Sequence, residues 1–197
     1  MFDFTSFIPR AVSQGIPLLL GSTGEIITEK SGNLNLGLPG VMYVGAISGV
    51  IGSFFYEQSL ADPSDINAFL AIFIPVICSL IGSLIMGLIF CFLTITLRAN
   101  QNVTGLAMTT FGVGFGNFFG GSLNKLAGGV GQISVAATSS AFRMNIPVIS
   151  KWGIVGKIFF SYGFLVYAEI IIAVLASRFL SKKHRGLNLR AVGENPA

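Results

Sequence analysis

Two short polar stretches interrupt a chain that is otherwise strongly apolar. The first, Thr28–Gly40 (TEKSGNLNLGLPG), alternates Asn33 and Asn35 with Leu34, Leu36 and Leu38, and its Gly32, Gly37, Pro39 and Gly40 break helix. The second, Arg98–Gly105 (RANQNVTG), carries Asn100, Gln101, Asn102 and Thr104. A side-chain amide offers both donors and an acceptor, which suits recognition of neutral solutes rich in hydrogen-bonding groups, sugars and nucleosides among them. Each stretch also has a plainer reading. The first is a short turn between helices, and the second caps a helix. At membrane depth irregular backbone survives only beside protein or water, so the sharper alternative for the first is a broken or re-entrant element near 28–40 lining a path.

Glu169 is the one acidic residue well inside a long apolar run, Ile158–Ser177. An ionisable group there is costly in lipid and belongs in the bundle interior, as a structural partner or beside a pathway. Enzymatic chemistry finds little support. The single histidine, His184, sits in a basic cluster, so neither a histidine-based triad nor a two-histidine metal site can be built. Gly153–Ile158 (GIVGKI) has only a loose likeness to a phosphate loop, with Ile158 where Ser or Thr is needed. The GGVGQ and TSS stretches that precede it are ordinary turn sequences. No cofactor and no metal are expected.

The elements that must hold these residues follow from composition. Of 197 residues, 52% are apolar and 10% charged, against about a quarter charged in an ordinary soluble domain. So few charges cannot clothe a water-soluble surface of this size. That excludes a cytoplasmic enzyme, a secreted disulfide domain and a disordered tail. The formal charge is +4, but Arg178, Lys182, Lys183, Arg185 and Arg190 crowd the end of the chain as the cytoplasmic flank of a membrane helix does, and no nucleic-acid partner is expected. Cys78 and Cys91 would lie about 20 Å apart on one helix, too far to pair.

Charge-poor runs place about five crossings in the bilayer: Ala11–Gly24 with its apolar flanks, Leu38–Tyr56, Ile66–Leu97, Ala99–Asn124 and Ile158–Ser177. Ile66–Leu97 would measure about 48 Å as one helix, so it must tilt, protrude or break near Pro75. The expected fold is an all-α polytopic membrane helical bundle, a single domain over 1–197. The basic cluster puts the C-terminus in the cytoplasm and, by alternation, the N-terminus outside. Trp152, Tyr162 and Phe54–Tyr56 then fall at the outer boundary. Gly112, Gly116 and Gly120 recur every four residues, as do Gly45, Gly49 and Ser53, and Ser79, Ser83, Gly87 and Cys91. Such faces let neighbouring helices approach closely.

The end of the chain, Gly186–Ala197 (GLNLRAVGENPA), resembles the cytoplasmic coupling segment of bacterial ABC-transporter permeases for simple sugars and nucleosides, a group related to ribose and branched-chain amino-acid permeases. GEIITEKSGNLNLGLPGVM at Gly24–Met42 and LRANQNVTGLAM at Leu97–Met108 resemble pieces of the same family, in the same order. The resemblance implies an importer of the bacterial inner membrane: a cytoplasmic ABC ATPase supplies power, a second permease subunit completes the pathway, and an extracytoplasmic solute-binding protein delivers solute. It implies that Arg190, Gly193, Glu194 and Asn195, within a coupling segment at 181–197, dock on the ATPase. It also raises Asn33, Asn35, Asn100 and Asn102 as pathway residues beside Glu169. Family members continue past this motif, which makes the chain an expected N-terminal part of a permease. The competing function is an ion-coupled secondary transporter or channel subunit. An intramembrane enzyme is the third class, and no span supplies a histidine partner for its nucleophile.

Overall fold

The computed structural model describes residues 4–60, 66–126, 134–143, 158–159 and 161–195. The GGVGQ stretch, Trp152 and most of Gly153–Ile158 lie outside the described residues. Among those described there are seven α-helices and no strand. They are α1 (Phe4–Lys30), α2 (Leu38–Ser59), α3 (Ala68–Cys91), α4 (Gln101–Leu126), α5 (Ala136–Phe142), α6 (Phe164–Lys182) and α7 (His184–Glu194), with a π turn at Phe92–Thr96 continuing α3.

The five long helices stand where charge-poor runs placed crossings. Three of them are long and apolar enough to cross a membrane: α2, α3 with its π turn, and α6. Helices α1 and α4 have 27 and 26 residues, about 40 Å at 1.5 Å per residue. They are more polar, α1 through Gln14, Glu25 and Glu29, α4 through its amides and glycines. Along α3, Leu80, Leu84 and Leu88 are 61%, 62% and 60% exposed. A stripe of leucines laid open in this way is at home in lipid and not in water. The chain is therefore a helical, multi-pass membrane protein.

Pro75 does not break α3. The helix runs through it, because a carbonyl freed by proline meets no competing water in a bilayer and the backbone can adjust locally. The interruption comes at the far end. Leu97 N–H donates to Phe92 O at 3.1 Å and Ala99 N–H to Leu93 O at 3.0 Å, while Arg98 takes φ of 52°. The chain then reverses within residues 97–100 into α4.

By packing, the chain divides into two compact units. One is made of Met1–Asn33 with Phe142–Ala197, and the other of Leu34–Ala141. In the second unit α2 lies between α3 and α4. Val44, Met86, Phe90 and Met108 form its core. Between lipid-bathed helices the hydrophobic effect contributes little, so close backbone approach must hold the contact. A Cβ on Gly45 would collide with Ser83 Oγ, and one on Gly49 would sit 3.2 Å from Pro75 O. On the other side of α2, a Cβ on Gly112 would lie 2.5 Å from Gly40 Cα. The small-residue faces do not contribute alike. Gly120 would make only ordinary contact with Ile47, at 3.7 Å, and Gly87 meets nothing within 4 Å.

The far end of α2 is tied to its neighbours by polar groups. Asn67 N–H donates to the Tyr56 hydroxyl at 3.1 Å, and Asn67 Oδ1 accepts Phe69 N–H at 3.0 Å to cap α3. Glu57 Oε1 accepts Thr138 N–H at 2.6 Å in the first turn of α5. Tyr56, Ala71 and Ala141 pack beneath. In the first unit α1 packs on α6 around Ile16, Tyr162 and Val166.

Candidate functional site

The polar stretch at 28–40 resolves into a shorter non-helical segment than the sequence suggests. Helix α1 continues to Lys30 and α2 begins at Leu38, with Pro39 in its first turn, where a missing N–H costs nothing. Residues 31–37 bridge them. Gly32 has φ of +89°, a left-handed conformation that glycine adopts without strain. The segment Leu34–Gly37 is laid against the start of α4. Leu34 N–H donates to Gln101 Oε1 at 3.0 Å, and the Thr109 hydroxyl donates to Leu36 O at 2.8 Å. A Cβ on Gly105 would stand 2.8 Å from Gly37 N.

The four asparagines have distinct roles. Asn35 Oδ1 accepts Gly37 N–H at 2.9 Å, folding its own turn. Asn100 Oδ1 accepts the N–H groups of Asn102 and Val103 at 3.0 and 3.2 Å, the geometry of an N-cap. Asn102 is exposed on the first turn of α4. Asn33 Nδ2 lies 3.5 Å from Ser31 Oγ, at the end of α1. Asn35 and Asn100 thus flank the α2–α4 junction of one unit, while Asn33 and Glu169 belong to the other. Glu169 is half-buried in α6, and its Oε2 is enclosed with no hydrogen bond among the described residues.

Gln101, Gly105 and Thr109, none of them singled out from sequence as a site residue, anchor the irregular segment. Gly105, Met108, Gly112 and Gly116 share one helical face at spacings of three and four, and this face meets α2 most closely, with Gly120 continuing it at ordinary contact distance from Ile47. The spacing was available in the sequence, but nothing there said that Gly105 extends the stripe toward the start of α4 or where along it the helices come closest.

The C-terminal helix α7 is short and mostly exposed. Two glycines seat it. A Cβ on Gly186 would strike Phe179 O and lie 3.0 Å from Leu180 Cα, so α7 folds back tightly on the end of α6. A Cβ on Gly193 would strike Lys30 O and lie 2.8 Å from Gly32 N, so the other end of α7 rests on the turn that follows α1. Arg190 and Glu194 form an i,i+4 ion pair at 3.6 Å, with side chains 39% and 68% exposed. Asn195 follows as the C-cap, its N–H donating to Ala191 O at 3.0 Å. Between α1, α6 and α7 runs a cleft of about 360 Å³ lined by Thr23, Ile26, Lys30, Ser177 and Arg190.

Comparison with known proteins shows the family to which the chain belongs. The family model described as branched-chain amino acid transport system / permease component matches residues 7–197. The chain is 29% identical over 194 residues to the guanosine ABC transporter permease protein NupQ of Bacillus subtilis, covering 96% of this chain and 56% of that protein. It is 33% identical over 181 residues to the nucleoside ABC transporter permease protein NupC of Lactococcus lactis, covering 91% and 53%. A third relative, the putative glucose ABC transporter permease protein TsgC13 of Haloferax volcanii, is 29% identical over 183 residues, covering 91% and 49%. The chain thus spans about half the length of the curated relatives it matches. No solved structure matches it. The chain belongs to the family of branched-chain amino acid transport system permease components.

Proposed function

We propose that this chain is a membrane-spanning permease subunit of an ABC importer that moves a small polar solute, a nucleoside or simple sugar, across the bacterial inner membrane. The chain itself carries no catalytic step. ATP hydrolysis belongs to a cytoplasmic ABC ATPase, solute is delivered by an extracytoplasmic binding protein, and a second permease subunit, identical or not, completes the pathway. Residues 1–197 form a single permease domain, with the N-terminus outside and 181–197 in the cytoplasm. The orientation rests on the basic cluster from Arg178 to Arg190.

The observation that carries this reading is the seating of α7. Exposed side chains of Arg190, Glu194 and Asn195 are available to a partner, while Gly186 and Gly193 hold the helix against α6 and α1 with no flexible side chain between. A push on α7 is therefore delivered to backbone at both ends, as transmission of an ATPase closure requires. The solute pathway is assigned to Asn33, Asn35, Asn100, Asn102 and Glu169. Asn35 and Asn100 each turn an amide oxygen to a neighbouring backbone N–H, which fixes where the two side chains stand at the start of α2 and α4.

The test is co-purification of the ATPase with the N-terminally tagged protein from its native membranes. Glu194→Lys, an exposed change that spares the fold, should lose the ATPase. Gly193→Val should lose it while also loosening α7. Undiminished association in both would count heavily against the reading. The enclosed, unbonded oxygen of Glu169 favours a second reading, an ion-coupled transporter or channel. Solute flux that follows an ion gradient with no ATPase present would select it.

A further inference from the structure

Between α2 and α4, away from the four asparagines, lies an open cavity of about 530 Å³ lined by Tyr43, Ile47, Gly116, Asn117 and Gly120. Its volume falls within the range of small-molecule sites, about 300–1,000 Å³. Two features set it apart from a gap between packed helices. Tyr43 is 47% exposed, and its ring lies against the α4 backbone so closely that a Cβ on Gly116 would fall 2.7 Å from Tyr43 Cε1. The next residue along α4, Asn117, lines the same cavity, so the exposed ring and the amide share it. Neither the Tyr43 hydroxyl nor the Asn117 amide makes a hydrogen bond among the described residues.

Asn117 lies about two-thirds of the way along α4, more than two turns from its end at Leu126. An unpaired amide at such depth is costly against hydrocarbon, and is tolerated where it faces water or a polar guest. The glycines at 116 and 120 keep the wall beside it flat. A flat wall, an exposed aromatic face and an adjacent amide are complementary to one ligand chemistry. A planar heterocycle can stack on the ring, and its edge can present a neighbouring donor and acceptor to the Asn117 amide.

We infer that the Tyr43–Asn117 cavity is a contact site for the heterocyclic base of a nucleoside on its way through the membrane. The inference rests on the permease reading and deepens it, because it separates nucleosides from plain sugars. A base offers Tyr43 a π face and Asn117 a rigid donor–acceptor edge, whereas a monosaccharide offers only C–H faces and hydroxyls whose hydrogens rotate.

The test uses the assembled transporter purified from its native membranes, with adenosine and D-ribose as probes. A Tyr43→Trp variant places an indole in the cavity. Its fluorescence above the wild-type background should be quenched saturably by adenosine and not by ribose. Adding Asn117→Leu should shift the adenosine titration by about tenfold or more. Equal quenching by both probes, or by neither, would overturn the inference and mark the cavity as filled by lipid or by another helix. ATP-driven uptake into proteoliposomes separates this from the broader reading. Should Tyr43→Leu and Asn117→Leu leave adenosine uptake unchanged, the site is wrong and the permease reading stands. If the wild-type complex takes up neither probe with ATP while adenosine still quenches, the permease reading fails and the site stands.

Discussion

Gly112 and Gly114 lie two residues apart on α4 and differ only in what they face. Replacing each with alanine adds the same methyl group to the same helix, so the intrinsic preference of alanine for helix cancels between the two variants. At Gly114 the new Cβ meets nothing within 4 Å. At Gly112 it would lie 2.5 Å from Gly40 Cα and 2.8 Å from Gly40 C, and both are backbone. Carbon atoms sit comfortably at about 3.5–4.0 Å, so α2 and α4 must part locally by about 1 Å. No side chain can swing aside to spare them. Overpacking of this kind costs about 1–3 kcal/mol. For a chain of this length each kcal/mol shifts the midpoint by about 2–4 °C, so Gly112→Ala should melt about 2–12 °C below Gly114→Ala. The assay is survival of the monodisperse detergent-solubilised peak after heating, measured by size-exclusion chromatography. A Gly112→Ala protein as stable as Gly114→Ala would refute the argument that backbone contact at Gly40 and Gly112 holds these helices together.

Other expectations concern the ends of the helices. Glu57→Ala removes the acceptor of Thr138 N–H and should cost about 1 kcal/mol, seen as faster hydrogen exchange in Ala136–Phe142 with α3 unaffected. Arg98→Gly relieves a left-handed residue with φ of 52° and should raise stability by about 1 kcal/mol, read as a higher melting midpoint. Asn100→Ala strips two N–H groups of their cap and should lower stability by about 1 kcal/mol, with exchange accelerated in the first turn of α4. The Arg190–Glu194 pair is exposed, so Glu194→Ala should change stability by less than about 0.5 kcal/mol while still weakening ATPase association.

The long helices were legible in the sequence because each crossing is a run nearly free of charge, Glu169 being the exception, and burial in lipid imposes that rule on almost every residue of the run. Turns obey weaker rules. Pro75 has the residue type of a helix breaker, yet in α3 its effect is absorbed, and the actual interruption falls at Phe92–Thr96, where no residue type announces it. The same limit applies to the asparagines. Residue type announces hydrogen-bonding capacity, but Asn35 and Asn100 direct part of theirs to neighbouring N–H groups. The Tyr43–Asn117 pairing was hidden for another reason: residues 74 positions apart become neighbours only through the register of α2 against α4, which is set by Gly40, Gly105 and Gly112.

Helix α7 rests on the turn after α1, and both belong to a unit drawn from the two ends of the chain. Synthesis therefore makes one half of that unit long before the other. At a bacterial pace of about 5–20 residues per second, residues 34–141 take about 5–20 s to emerge. During that interval α1 has no partner within its own unit, whereas α2, α3 and α4 can pair as they leave the ribosome. The insertion machinery must shelter α1 until α6 and α7 arrive. Stalling translation before Phe142 should accordingly leave α1 crosslinked to the insertase, and releasing the full length should free it.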